Sequence, residues 1–426
     1  MYTHRVSRAT ALALALSWVS SIGFADSLPS LLDEAMQANP RLQAAERQWH
    51  AAQQRIRSAG GLEDPMIGAT FERADTRMSD YMDIEYMVSQ RLPAWGQRSA
   101  RLKAAQLDAE AAAYRYLEAG RELRTALTEA AWNLWLADQR VATLREMAQL
   151  SADLADSVRA RYESGQAMSA DLTRSQIERA KQSNEVATLE REQSVALATL
   201  NAQLNASPDA QREVSDLALP TEPLTDLAQL LANAREQNCR LLARDREIQA
   251  RAAATLAARR DRAPMIELSV AARQLEGRSE IEAIDTGIAM NLPWIWGGKY
   301  KGSIASAEAE RQWAEAERQE ELRAIEQEVT EWHAQAENAS RTAALLRETV
   351  VPLARQAVEQ TQAAYTAGTG SLLDRIEAQR TLLESEFDLH TAIATQARAR
   401  ARLDQLAGPL RDWEQSTGVL TSTDNR

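Results

Sequence analysis

Apolar residues in the first half of the chain follow two different spacings. Two stretches within residues 66–92 alternate between apolar and polar positions, as at Ile84, Tyr86 and Val88, and alternation predicts β-strands with one apolar face. From residue 97 to residue 162, apolar residues instead recur at intervals of three and four, the heptad spacing of a coiled-coil helix. At 1.5 Å per residue such a helix is about 100 Å long. The sequence therefore predicts a β-hairpin followed by one very long helix.

The same pattern returns about 200 residues later. Pairs of short segments keep their order, with an offset that drifts only from 199 to 203 residues. The pairs are Asn39–Leu42 with Asn238–Leu241, Pro65–Ile67 with Pro264–Ile266, Leu92–Gly96 with Leu292–Gly297, and Tyr162–Gly165 with Tyr365–Gly368. Because chance rarely produces several matches in register, we infer that the two halves build the same unit.

Each predicted repeat consists of a helix, a β-hairpin, a very long helix, a tight turn and a long return helix. Pro40 is expected to interrupt the first helix and Pro352 to kink the second long helix. The predicted fold class is mainly α with a small β part. The predicted divisions are a first repeat at 26–207 with its hairpin at 66–92 and its turn near 165, a linker at 208–223, a second repeat at 224–410 with its hairpin at 265–292 and its turn near 368, and a flexible tail at 411–426.

Residues 1–25 have the pattern of a secretory signal peptide. Arg5 and Arg8 precede a short apolar stretch, and small residues precede Asp26, which is the expected first residue after cleavage. The apolar stretch is shorter than the roughly 20 residues that span a bilayer, which argues against a membrane anchor. We expect an exported protein.

Composition excludes several classes of function. A net charge of −12 argues against a nucleic-acid partner, and the single cysteine, Cys239, excludes an internal disulfide. None of the four histidines has a metal-ligating neighbour at a useful spacing, and the sequence has no phosphate-binding loop or nucleophile motif. We therefore predict no catalytic residue, no metal site and no cofactor, and hence a protein that is not an enzyme.

Four strands in one chain raise a problem of closure. An open four-stranded sheet leaves unpaired edges that lipid does not tolerate, and about eight strands are the practical minimum for a barrel. Three chains supply twelve strands, an even number within the known bacterial range. The sequence thus predicts a homotrimer with a 12-stranded outer-membrane barrel on a periplasmic helical tunnel.

The duplicated layout, the Leu-Pro-x-x-Gly strand-to-helix junctions and the Tyr-x-x-Gly turns resemble the TolC-like outer-membrane efflux factors. The resemblance covers residues 28–407. It implies a homotrimer that works with a periplasmic adaptor (membrane fusion) protein and an inner-membrane RND-type transporter, as the outer-membrane channel of a tripartite efflux system. Asp64-Pro65-Met66 and Ser89–Gly96 are most similar to the heavy-metal-exporting branch, so heavy-metal cations are the expected cargo.

The resemblance also assigns candidate site residues, and each has a plainer structural explanation. The tip residues Asp374 and Glu377, with Asp171, are the expected pore constriction, although carboxylates also stabilise the first turn of any helix. Arg174 belongs to the same constriction and is expected to pair with one of these carboxylates across helices and hold the tip closed. The two turns are expected to dock the adaptor, although glycine alone explains their helix ends; the turn residues are Tyr162, Gly165, Gln166, Tyr365, Gly368 and Thr369. Trp95, Trp294 and Trp296 either form a membrane-interface aromatic belt or pack the barrel neck.

Three alternatives remain open from the sequence. The duct can serve type I protein secretion or drug efflux instead of metal export. A periplasmic coiled-coil scaffold without a pore is a third possibility, and the duplicated strand pattern argues against it.

Overall fold

The computed structural model describes residues 26–73, 82–212, 214–215, 217–219, 223–275 and 280–409. The predictions for the signal peptide at 1–25 and the tail at 411–426 concern residues outside this set. The described chain is mainly helical with a small antiparallel sheet, which confirms the predicted fold class.

Nine α-helices and one short π-helix occur within the described residues. They are α1 Leu28–Ala38, α2 Pro40–Ala59, α3 Gln97–Glu163, α4 Ser169–Gln203, α5 Leu227–Gln237, α6 Cys239–Arg260, α7 Gly297–Leu345, the π-helix Leu346–Val350, α8 Val351–Thr366 and α9 Leu372–Ala407. The long helix α3 alone comprises 67 residues.

An asparagine starts the second helix of each repeat. The Asn39 side chain accepts hydrogen bonds from the backbone amides of Arg41 and Leu42, at 2.9 and 3.4 Å, and Asn238 caps α6 at the same two distances. Both asparagines are buried. Pro40 is the first residue of α2, where a missing N–H costs nothing, so the break predicted at Pro40 lies at Asn39.

The main sheet has four antiparallel strands in the order β2-β3-β5-β6, with β2 Met66–Arg73, β3 Met82–Leu92, β5 Ile266–Leu275 and β6 Ala283–Met290. The two hairpins are joined through β3 and β5, which pair from Asp83↔Leu275 to Leu92↔Ile266. A second, two-stranded parallel sheet pairs β1 (Asp26–Ser27) with β4 (Val214–Ser215). The sequence did not predict β4, which lies in the segment expected to be only a linker.

The chain divides into two compact units, and each takes segments from both sequence repeats. The first unit contains the described parts of residues 1–38, 126–222 and 338–398. The second unit contains the described parts of residues 39–125, 223–337 and 399–426, including the four-stranded sheet. Neither unit coincides with one repeat, because the long helices of each repeat contribute to both units.

The apolar cores follow the heptad positions. In the first unit, Leu127, Leu134, Val141, Leu144 and Val158 of α3 are almost fully buried. In the second unit, Leu241 of α6, Ile325 and Val329 of α7 and Leu403 of α9 share one cluster. Tyr162, the last predicted heptad position, is an exception: its side chain is 44% exposed.

The predicted irregularity near Pro352 takes the form of the π-helix that ends two residues before it. Proline cannot donate the hydrogen bond to the preceding turn, and its ring crowds the carbonyl four residues earlier. An extra residue in the preceding turn relieves this crowding, which is a common cause of local π-helices.

Candidate functional site

One face of the four-stranded sheet is apolar and exposed from one edge to the other. The register brings Ile67 opposite Val88, Val88 opposite Val270, and Leu268 opposite Ile288, and side chains of directly paired residues point to the same face. Within the described residues these side chains are largely uncovered: Ile67 is 84% exposed and Ile288 is 79% exposed. Other exposed large apolar residues of this face are Phe71, Tyr86, Ile266, Ile284 and Met290.

The opposite face of the sheet is more polar. Arg91 on β3 donates to Glu267 on β5 at 3.1 Å, and Arg273 on β5 lies 3.9 Å from Asp285 on β6. Ser89 and Ser269 also belong to this face. A sheet with one apolar and one polar face is suited to a boundary between two different solvents.

The three candidate interface tryptophans lie in the turns between strand and long helix. Trp95 is 93% exposed between β3 and α3, while Trp294 and Trp296 are 61% and 76% exposed between β6 and α7. Their exposure argues against a role in packing the junction within one chain. Large exposed indoles beside an apolar face are typical of a membrane–water interface.

Both tight turns of the first unit use a left-handed glycine. Gly165 has φ +75° and Gly368 has φ +77°, and each ends its helix with a backbone bond that spans five residues. In the first turn Gln166 N–H donates to the Arg161 carbonyl at 2.7 Å, and in the second Thr369 N–H donates to the Ala364 carbonyl at 3.0 Å. These are the closing bonds of a Schellman-type helix end.

The two tyrosines of these turns have different surroundings. Tyr365 is buried among Leu154, Val158, Leu372 and Ile376, whereas Tyr162 is exposed. The guanidinium of Arg161 lies 4.9 Å from the centre of the Tyr365 ring, and Arg375 lies 5.8 Å from it. Burial lowers the pKa of the Arg375 guanidinium below its ordinary value.

The predicted constriction residues lie at the starts of two helices. Asp171 and Arg174 belong to the first turns of α4, and Asp374 and Glu377 to the first turns of α9. Leu172 and Leu372 pack against one cluster, so both helix starts lie at the same end of this unit. Neither aspartate is a helix cap: Ser371 Oγ accepts from the Asp374 N–H at 3.1 Å, and α4 follows Met168, whose side chain forms no capping bond.

The ion pair that joins α4 to α9 was not predicted. Arg380 donates through its Nε to Glu178 Oε1 at 3.1 Å and through Nη2 to Glu178 Oε2, although Glu178 is buried. This bond raises the pKa of Arg380 above its ordinary value. Arg174, the cation predicted to hold the tip closed, is exposed within one chain. No spacing within α4 marks Glu178, because its partner lies about 200 residues away along the chain.

Two features are absent from the described residues. No helix there is both long and apolar enough to cross a bilayer. No three His, Cys, Asp or Glu side chains in those ranges come together as a metal site.

Comparisons with known proteins place both repeats in one family. The family model for the outer membrane efflux protein matches residues 31–206 and 230–409. The cobalt-zinc-cadmium resistance protein CzcC of Cupriavidus metallidurans is 26% identical over 386 residues, which cover 90% of each chain.

Solved structures show the same fold. The outer-membrane channel OprN matches with a TM-score of 0.79 at 18% identity, over 91% of this chain and 90% of that chain. The outer membrane protein VceC from Vibrio cholerae matches with a TM-score of 0.75 at 21% identity, over 89% of this chain and 96% of that chain.

Proposed function

The chain belongs to the outer membrane efflux protein family, and we propose that it is the outer-membrane channel of a tripartite efflux system, a passive export duct for heavy-metal cations. The family consists of channels rather than enzymes. In this proposal a homotrimer spans the outer membrane through its sheets and extends into the periplasm through its helices. A periplasmic adaptor and an inner-membrane RND-type transporter supply the coupling to energy, since the sequence carries no nucleotide-binding motif.

The exposed apolar face of the sheet carries this proposal. Soluble proteins rarely leave a continuous apolar surface of this extent in water, and here the strands that form it also present a polar face with Arg91–Glu267 on the other side. A membrane β-barrel needs this combination, with lipid outside and water inside.

The edges of the sheet support a trimer. Strands β2 and β6 each have one sheet neighbour, so the sheet ends in two unpaired edges within one chain. In lipid each unpaired backbone group costs several kcal/mol, and only closure removes the edges. Three copies that pair β6 of one chain with β2 of the next close a ring of twelve strands. In such a trimer Asp374, Glu377, Asp171 and Arg174 are each present three times, which is the basis of the proposed constriction.

The proposed cargo rests on the name of one relative and on the carboxylates at the tip. The protein that matches over 90% of both chains is named for resistance to cobalt, zinc and cadmium. Rings of carboxylates at a constriction favour cations over anions, and Asp374 and Glu377 are both exposed at the start of α9. The exposed first turn, with Tyr162, Gly165 and Gln166, is the proposed adaptor contact, with Gly368 and Thr369 of the second turn beside it.

The pore is tested with a matched pair of substitutions on β6. Ile288 and Ala289 are consecutive exposed residues that point to opposite faces of the sheet. Ile288→Arg is expected to cost about 2–4 kcal/mol in the membrane and to abolish trimer insertion, whereas Ala289→Arg inserts and conducts. Heat-sensitive trimer migration on gels and conductance in planar bilayers measure both. A wild-type protein that purifies as a soluble monomer without detergent supports the pore-less scaffold and refutes the proposal.

The cargo is tested in a strain that lacks this chain. Loss of the channel is expected to lower the tolerated concentrations of cobalt, zinc and cadmium salts severalfold, and the wild-type gene is expected to restore them. Unchanged metal tolerance with increased drug sensitivity would indicate a drug duct. Loss of a secreted polypeptide with normal metal and drug tolerance would indicate type I secretion.

A further inference from the structure

Ten exposed arginine and lysine residues lie where the helices meet the sheet. We call them the basic collar: Arg55, Arg57, Arg98, Arg101, Lys103, Arg259, Arg260, Arg262, Lys299 and Lys301. They belong to the end of α2, the start of α3, the end of α6 with the residues after it, and the start of α7. The function proposed above makes no use of them.

Contacts within the second unit bring these four chain segments to one end of the sheet. Arg98 Nε donates to the Gly60 carbonyl at 2.5 Å, which joins the start of α3 to the end of α2. Gln97 donates to Asp261, which joins α3 to the residue after α6. Ile266 pairs with both Leu92 and Met290, so the ends of β3 and β6 that lead into α3 and α7 lie beside the start of β5.

The collar is strongly basic in an acidic protein. Residues 55–64, 97–103, 259–264 and 294–301 together contain these ten cations and three carboxylates, although the whole chain has a net charge of −12. The sequence around the opposite ends of the strands has the reverse balance, because residues 72–85 and 276–285 together contain nine carboxylates and three arginines. The sequence is therefore basic around one end of the strands and acidic around the other.

Ion pairing explains little of the collar, and helix stability explains only its cations in the last turns of α2 and α6, Arg57, Arg259 and Arg260. Among its ten residues in the described structure, only Arg101 and Arg259 form ion pairs, with Asp261 at 3.4 Å and with Glu308 at 3.9 Å. Further from the sheet on the same helix α6, Arg240 and Arg244 do pair with carboxylates of α7.

For the cations at the starts of α3 and α7, the direction of the helices argues against a stabilising role. Helices α3 and α7 begin at this end of the sheet, and neither has an acidic residue in its first turn. Cations at a helix start oppose the helix dipole, so Arg98, Arg101, Lys299 and Lys301 lower rather than raise the stability of their own helices. Charges kept at such positions need another partner.

We propose that the basic collar binds the anionic phospholipid headgroups of the periplasmic leaflet of the outer membrane. The apolar face of the sheet ends at the collar, and the exposed indoles of Trp95, Trp294 and Trp296 lie at the same junctions. Acyl chains, interfacial indoles and headgroup phosphates occupy successive depths in a leaflet, and the chain presents matching groups in that order. Arginine and lysine near such a surface attract anionic lipid, and the effect weakens with salt. The inference deepens the proposed function and rests on the membrane location of the sheet.

Tryptophan quenching by brominated lipids separates the two proposals. The full-length trimer is reconstituted in phosphatidylcholine vesicles that contain, at equal mole fraction, either brominated phosphatidylcholine or brominated phosphatidylglycerol. Quenching by both lipids reports that the sheet is in the membrane, and stronger quenching by the anionic lipid reports its enrichment at the collar. For the wild type we expect an association constant at least about twofold higher for phosphatidylglycerol, which falls towards equality in 0.5 M salt.

Four collar residues without ion pairs provide the test variant, Arg57→Gln/Arg262→Gln/Lys299→Gln/Lys301→Gln. It is expected to lose the preference for phosphatidylglycerol while quenching by phosphatidylcholine remains. The matched control is Lys181→Gln/Arg191→Gln, which removes two exposed cations of α4 in the first unit and is expected to keep the preference. Trimer migration on gels confirms that each variant is assembled.

Three results distinguish failure of the collar proposal from failure of the proposed function. Equal quenching of the wild type by both lipids, or a preference that survives in the fourfold variant, overturns the collar proposal and leaves the channel intact. Absence of quenching by either lipid shows that the sheet is outside the membrane and overturns the proposed function itself.

Discussion

The two tight turns of the first unit share one backbone and differ in what surrounds it. Gly165 and Gly368 occupy matched positions of the two repeats, with φ values of +75° and +77°. The tyrosines three residues before them are also matched, yet Tyr365 is 8% exposed and Tyr162 is 44% exposed. Both repeats therefore have the same turn, but its tyrosine is buried in the second repeat and exposed in the first.

The difference shows which of the two turns has more exposed surface. Tyr365 packs against Leu154 and Val158 of α3, so the second turn is part of the core that joins the two helical hairpins. Within the described residues, Tyr162 has no such cover. We infer that the first turn has more free surface for the proposed adaptor, while the second turn holds the tip together.

Removal of the buried aromatic side chain is the strongest test of this comparison. Tyr365→Ala empties a site in the apolar cluster and is expected to cost about 3–5 kcal/mol in local stability, whereas Tyr162→Ala is expected to change it by less than about 0.5 kcal/mol. Hydrogen exchange of the amides in residues 360–376 measures the opening free energy. Tyr365→Phe is the control that keeps the ring, and equal effects of the two alanine variants would contradict the asymmetry.

The ion pair between α4 and α9 gives the next largest expected effect. Arg380→Gln leaves the buried carboxylate of Glu178 without its cation, and because Arg380 itself is partly exposed, the expected cost is about 1–3 kcal/mol in opening of the tip. Arg179→Gln is the matched control, since its pair with Asp156 at 3.3 Å is exposed on both sides and is worth at most about 1 kcal/mol.

A double-mutant cycle with Glu178→Gln, followed by hydrogen exchange, isolates the pairwise energy. A coupling energy near zero would show that the ion pair contributes nothing to holding the two hairpins together.

Substitution of the two glycines tests the part of the comparison that should be symmetric. An added Cβ would meet no atom within 4 Å at Gly165 or at Gly368, so only the left-handed backbone opposes it. Gly165→Ala and Gly368→Ala are each expected to cost about 1–2 kcal/mol, with equal effects on local exchange at their own turns. Clearly unequal costs would show that the turns differ in backbone strain as well as in packing.

The acidic residues after the turns are expected to have the smallest effect on stability. Asp374→Asn and Asp171→Asn each remove a first-turn charge worth less than about 1 kcal/mol to its helix. If these residues ring the constriction, Asp374→Asn lowers the preference for cations in planar bilayers and weakens block by divalent ions, and Asp171→Asn does so less because its side chain is half-buried. Unchanged selectivity and leakiness in Asp374→Asn would remove it from the proposed constriction.

Local pattern predicted the elements well, and contacts between distant segments less well. The alternation at Ile67 and Ile84 and the heptads after residue 97 predicted strands and helices that the structure contains, because period and propensity act within a few residues. The π-helix before Pro352 follows from the same local logic. Strand β4 was missed because its two residues pair only with the distant β1, and no periodicity marks so short a strand.

The candidate site was only partly accessible from the sequence. Glycine turns and exposed tryptophans have local signatures, and their positions followed from the motifs. The Glu178–Arg380 pair and the burial of Tyr365 join helices from different repeats, and no spacing within either helix predicts which residues meet.

By itself the sequence determined the duplicated set of elements, the two left-handed turns, the alternation of the strands and the clustering of cations beside the tryptophans. Only the tertiary structure decided that β3 pairs with β5, which merges two hairpins into one sheet with a continuous apolar face, and that one of two matched tyrosines is buried. The physical reason is that hydrogen-bond geometry and side-chain period are set by neighbours along the chain, whereas burial depends on which distant surfaces pack together.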